Sequence, residues 1–142
     1  MSSKANSKKN LGKCNYFQHN IYLIYRKDKL TKTPLQIKLK EATSNEHCHA
    51  NVSLLNEISQ RTEYYSELQI IVSHVSKKLN CRREKWRKIL KCLFLVEHIL
   101  KTGSMNFYDQ MKSLSYQFRN LNTFSYIDEN RVDKGETSKI YY

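Results

Sequence analysis

The chain has 142 residues and a formal net charge of +12, long enough for one domain with its own core and basic enough to require an anionic partner. Three glycines and one proline exclude a fold of many short strands and leave helices as the default. The longest apolar run, Cys92 to Val96, falls far short of the roughly 18 residues of a membrane-spanning helix.

In chain order, residues 1–15 are polar and basic and are read as a disordered lead-in. Residues 16–30 place Phe17, Ile21 and Ile24 on one helical stripe, closed by Arg26, Lys27 and Lys29. The same stretch contains IYLIY, rich in strand formers, so a packed strand or core segment stays open beside an amphipathic helix. Residues 31–142 read as a helical domain. Its first helix takes Thr33 as N-cap and Pro34 at the first helical position, and runs to Thr43. A second fits Val52 to Thr62, with Leu54, Leu55 and Ile58 inward. A third opens with Ser66 as N-cap and carries Leu68, Ile71, Val72, Val75 and Leu79.

The fourth helix, Arg83 to Thr102, is the most informative. Trp86, Ile89, Leu90, Leu93, Val96 and Leu100 recur at helical spacing, and Gly103 supplies the stop. Its opening turns are crowded with Arg82, Arg83, Lys85, Arg87 and Lys88, where the helix dipole disfavours cations. A helix start lined with Lys and Arg is an anion site or else a solvated charged face. A fifth helix spans about Met105 to Leu121, with Phe107, Met111, Leu114 and Phe118 inward. Phe124, Tyr126 and Ile127 then anchor a polar loop.

The charge is uneven. Residues 1–40 hold ten Lys or Arg against one acid, and residues 77–91 hold eight against one, so the anionic partner meets those two blocks.

Four motifs stand in order: KLKEATSN (residues 38–45), KKLN leading to Trp86 (residues 77–86), EHILKTGS (residues 97–104) and FSYIDENRVDKG (residues 124–135). In sequence and spacing they resemble the epsin N-terminal homology (ENTH) domain over residues 33 to 137. The resemblance implies an all-α, right-handed superhelical stack of about seven helices, or that stack without its last helix, since the chain stops at KIYY. It also implies phosphoinositide binding on the cytosolic leaflet, as a peripheral adaptor in clathrin-linked vesicle formation at plasma, Golgi or endosomal membranes.

Carried over by motif, the head-group ligands are Lys40, Asn45, Lys78 and Lys88 beside Arg87. Glu84 departs from a family lysine, so its neighbours Arg83 and Lys85 are the expected substitutes. Arg26 would join from the N-terminal segment, where Phe17, Ile21 and Ile24 would enter the leaflet. Clustered Lys and Arg provide the charge-assisted hydrogen bonds that phosphates need. The family's long tail with coat-binding motifs is absent from this sequence, so coat and adaptor contacts rest on resemblance.

No cofactor and no metal are expected. His47, Cys48 and His49 are adjacent, and three consecutive residues do not readily converge on one tetrahedral ion. Four cysteines without a C-x-x-C pair, and no signal-peptide pattern, give a reduced intracellular compartment as the expectation. No nucleophile elbow, phosphate-binding glycine loop or paired carboxylate suggests an enzyme. The competing class is a basic nucleic-acid-binding helical domain, favoured by the charge and ten tyrosines. A protein-interaction module related to VHS or ANTH stacks is the third.

Overall fold

The computed structural model describes residues 32–135, and the expectations for residues 1–15 and 16–30 lie outside them. The described residues form an all-α stack of six helices. These are α1 (Pro34–Ala42), α2 (Val52–Arg61), α3 (Tyr65–Leu79), α4 (Trp86–Thr102), α5 (Met105–Ser113) and α6 (Ser115–Asn120), with 3-10 turns at Arg83–Lys85 and Leu121–Thr123. The closest approach to a strand among them is the single antiparallel bridge Ile127–Asp133.

α1 begins as its sequence dictates. The Thr33 hydroxyl accepts from the Gln36 N–H (3.3 Å), while the Gln36 amide oxygen accepts from the Thr33 N–H (2.9 Å), a reciprocal capping box before Pro34. Asn51 caps α2 by accepting from the Ser53 N–H. α3 departs from expectation. Its N-cap is Tyr64, and Ser66 lies inside the first turn. The end of α2 folds directly into it, Glu63 and Tyr64 donating back to Gln60 and Arg61, so no spare residues remain for a serine cap.

α4 is the central element, packed against α1, α2, α3 and α5. Being covered on several sides, it buries a wider and shifted arc than its periodicity suggests. Ile89, Cys92, Leu93, Leu95, Val96 and Ile99 are interior, whereas Leu100 is 46% exposed. Its basic start is also reshaped. Arg83 lies in a 3-10 turn outside the α-helix and donates to the Ser125 carbonyl (3.4 Å), which relieves part of the conflict with the dipole.

The expected fifth helix is two. The chain breaks at Leu114, whose N–H turns to the Met111 carbonyl. Beyond the break, Gln117 is buried and donates to Ser76 of α3 at 2.8 Å. The 124–135 loop is held by Asp133, which accepts from the backbone N–H of Tyr126 (3.1 Å) and Gly135 (2.8 Å). A Cβ on Gly135 would lie 2.4 Å from the Phe124 carbonyl oxygen, so this close approach needs glycine.

Candidate functional site: the junction of α1, α3 and α4

Two hydrogen bonds draw the second half of the basic sequence to the end of α1. Thr43, fully buried at the C-cap of α1, donates its hydroxyl hydrogen to the Leu39 carbonyl (2.8 Å). With that hydrogen spent, His74 of α3 must be the donor in its 2.8 Å contact, Nε2–H to Thr43 Oγ1. One residue on, Ser44 accepts from Lys91 Nζ of α4 (3.2 Å). Lys78 lies one turn beyond His74 on α3, and Lys88 one turn before Lys91 on α4. Cations from two helices therefore flank the end of α1, where Lys40 occupies the last turn and Asn45 the following loop.

The electrostatics match this convergence. Lys78 is half-buried, and its pKa is lowered first by burial and then by the Lys88 ammonium, with Lys77 adding to it. Lys40, Asn45 and Lys85 are exposed, free to swing toward a ligand. Arg87 is placed differently. Its guanidinium lies 4.8 Å from the Trp86 ring centroid, and Lys134 lies 5.7 Å from the same ring while 3.5 Å from Asp128. Arg87 is thus engaged with the tryptophan that joins the 124–135 loop to the start of α4. Glu84, the departing position, is exposed on the 3-10 turn. Arg26, Phe17, Ile21 and Ile24 lie outside the described residues.

Sequence reasoning missed His74, Thr43 and Lys91. Lys91 is 7% exposed and sits among Ile89, Cys92 and Leu95, so a lysine inside an apolar stripe was the available signal. Cys92 is a core thiol, its pKa pushed up to about 12 by burial. Among the described residues no group of His, Cys, Asp and Glu could hold a metal ion. No described helix is long and apolar enough to cross a membrane.

His74 gives the junction a pH dependence. Burial holds its imidazole down from 6.5 to about 3, with repulsion from Lys78 and then Lys77 in the same direction. The unfolded chain therefore binds a proton below pH 6.5 that the folded chain refuses until about pH 3. Stability from this group is complete above pH 6.5 and lost as pH falls. Between pH 6.5 and 5 the loss is about 2 kcal/mol. Denaturant unfolding over that interval reads it, and in His74→Gln the slope due to this group disappears. An unchanged slope in the variant would show that His74 is not buried as a neutral ring.

Comparison with known proteins follows the same outline. The ENTH domain family model matches residues 32–140. Epsin-1 of Rattus norvegicus is 35% identical over 100 residues, which cover 70% of this chain and 17% of the relative. Clathrin interactor EPSIN 2 of Arabidopsis thaliana is 33% identical over 108 residues, covering 75% and 12%. The chain thus spans less than a fifth of these relatives' length. Among solved structures, the epsin-2 ENTH domain in complex with phosphatidylinositol 4,5-bisphosphate superposes with a TM-score of 0.76 at 20% identity, covering 82% of each chain. The yeast Ent1 ENTH domain gives 0.75 at 22% identity, covering 79% of this chain and 82% of its own. With a family model matched over most of its length and a stack of helices to fit it, the chain belongs to the ENTH domain family.

Proposed function

We propose that this chain is a phosphoinositide-binding adaptor module, not an enzyme, acting peripherally at the cytosolic face of plasma, Golgi or endosomal membranes in clathrin-linked vesicle formation. The observation that carries the reading is the convergence of three elements: His74 of α3 on Thr43 and Lys91 of α4 on Ser44 bring the half-buried Lys78 and Lys88 to the end of α1. A head group carrying several phosphates offsets the repulsion between these lysines and takes charge-assisted hydrogen bonds from separate elements.

The assigned ligands are Lys40, Asn45, Lys78 and Lys88, with Lys85 reaching from the 3-10 turn and Arg26 from the N-terminal segment. Arg87 serves mainly by fixing the start of α4 through Trp86. Lys91 supports the site by holding Ser44 beside Asn45. Residues 16–30 would place Phe17, Ile21 and Ile24 in the leaflet. The relatives support this class of ligand, since a solved ENTH domain is in complex with phosphatidylinositol 4,5-bisphosphate and others are on membranes containing that lipid. The clathrin link rests on the Arabidopsis relative's description as a clathrin interactor.

The test is vesicle sedimentation at equal surface charge, with phosphatidylinositol 4,5-bisphosphate in one population and phosphatidylserine alone in the other. The wild-type chain should sediment with the first, and Lys88→Glu should lose at least tenfold in affinity, about the worth of one charged hydrogen bond. Equal binding to both populations, or a preference for an oligonucleotide over either, overturns the head-group reading.

A further inference from the structure

The start of α4 carries two of the assigned ligands, Lys85 and Lys88, yet does little to hold its own shape. Among the described residues no side chain caps it, and its first turn contains no acid. Cations crowd the positive end of the helix dipole instead, which favours fraying. Support comes from far along the chain. The Ser125 carbonyl, 42 residues on, accepts from Arg83 at 3.4 Å.

The 124–135 loop is itself firmly held. Phe124 is buried at its root. Its two arms are pinned by the Lys134 N–H on the Tyr126 carbonyl (2.7 Å) and the Asp128 N–H on the Val132 carbonyl (3.0 Å). Asp128 closes the tip, its Oδ1 accepting from the N–H groups of Asn130 (2.9 Å) and Val132 (3.0 Å). Its Oδ2 lies 3.5 Å from Lys134 Nζ, which stands 5.7 Å from the centre of the Trp86 ring. That is within reach of a cation–π contact. Trp86 directly follows Lys85 and precedes Lys88 by two positions, so whatever seats the indole also sets where both lysines project.

We propose that Lys134 and Asp128 are positioning residues for the head-group site: their ion pair seats the Lys134 ammonium on Trp86 and so fixes the helix start from which Lys85 and Lys88 reach a phosphate. This rests on the head-group reading above and adds two residues that act through the tryptophan. An exposed ion pair or cation–π contact is worth up to about fivefold in an equilibrium constant. Net charge alone predicts the opposite for one of the two. Asp128→Asn keeps an oxygen for the Asn130 and Val132 N–H groups, breaks the pair with Lys134 and adds one positive charge. Generic attraction to an anionic surface then rises by about fivefold, while lost position lowers affinity for the head group.

The readout is the ratio of affinities for vesicles containing phosphatidylinositol 4,5-bisphosphate and vesicles of equal surface charge containing phosphatidylserine alone. It should fall about threefold in both Asp128→Asn and Lys134→Met, although one gains a charge and the other loses one. Lys134→Arg should restore it, and Lys112→Met on α5, losing the same charge as Lys134→Met, should leave it unaltered. Trp86 is the sole tryptophan, so its emission reads the contact without any lipid. Acrylamide should quench it more strongly in Asp128→Asn and Lys134→Met, with the midpoint of denaturant unfolding unchanged. A ratio preserved in both variants, or quenching identical to wild type, overturns the positioning role. A ratio that falls only in step with lost folded protein makes the loop merely structural and overturns it too. A wild-type ratio near one with altered quenching sinks the head-group reading, and the positioning role with it, while leaving the contact itself established.

Discussion

Gly103→Ala is expected to destabilise the protein by about 1–3 kcal/mol, the range for forcing a methyl into packed surroundings, and to lower the midpoint of thermal unfolding by about 3–12 °C. Two effects oppose each other at this position. Gly103 has φ −93° and ψ −169°, an extended conformation open to alanine. On backbone entropy alone the substitution would stabilise by about 0.4–1 kcal/mol. Space decides the sign. A Cβ would lie 2.7 Å from Ile99 Cγ2, 2.8 Å from the Ile99 carbonyl oxygen and 2.9 Å from Thr62 Oγ1.

None of these neighbours can withdraw. Ile99 is buried in the core, and its carbonyl accepts from the Gly103 N–H at 2.7 Å. The Thr62 hydroxyl donates to the Ser59 carbonyl (2.6 Å) and accepts from the Ser104 N–H (3.0 Å). The Ser104 hydroxyl returns to the Thr62 carbonyl at 2.9 Å. These bonds join the C-terminal ends of α2 and α4, and an alanine methyl would separate them. Chemical denaturation of Gly103→Ala beside Ser104→Ala distinguishes the causes. Ser104→Ala removes part of the joint without crowding it and should be the milder of the two. A neutral or stabilising Gly103→Ala would mean that entropy outweighs the contact and that the joint yields.

That joint illustrates what the sequence made legible. Gly103 is readable as a helix stop, and Thr33 with Pro34 as a helix start, because caps and stops depend on residues a few positions apart. The inward positions of α3 were equally plain, since a stripe at 3.6-residue spacing admits one buried face. What failed depended on distant partners. The steric demand on Gly103 comes from Thr62, and the break at Leu114 accompanies a bond between Gln117 and Ser76. The apolar period runs through Leu114 without a breaker residue, so nothing local marks the division of the expected fifth helix.

The candidate site divides along the same line. The motifs named Lys40, Asn45, Lys78 and Lys88 through resemblance, and charge density alone marked residues 77–91. Neither could reveal that His74 and Lys91 bind consecutive residues at the end of α1, because those pairs are 31 and 47 residues apart in the chain. Nor could they separate Arg87, held on Trp86, from Lys88 at the next position, which acts on Lys78.

Lys78→Met is expected to weaken binding to vesicles containing phosphatidylinositol 4,5-bisphosphate by about ten- to a hundredfold while leaving the fold as stable or slightly more so. The affinity follows from the loss of one charge-assisted hydrogen bond to phosphate, about 1.5–3 kcal/mol. The stability follows from the same electrostatics read without ligand. Burial and the Lys88 ammonium both disfavour the charged amine, so a neutral chain of similar length removes a repulsion and keeps the apolar packing of the stem. Because Lys78 is only half-buried, solvent screening limits that gain to a few tenths of a kcal/mol. Vesicle sedimentation and denaturant unfolding of one variant therefore move in opposite directions. A structural lysine would lose both together, and a lysine on a generic basic face would lose no more binding than Lys112→Met on α5. Only a cation that serves an anionic ligand gives weaker binding with an undiminished fold.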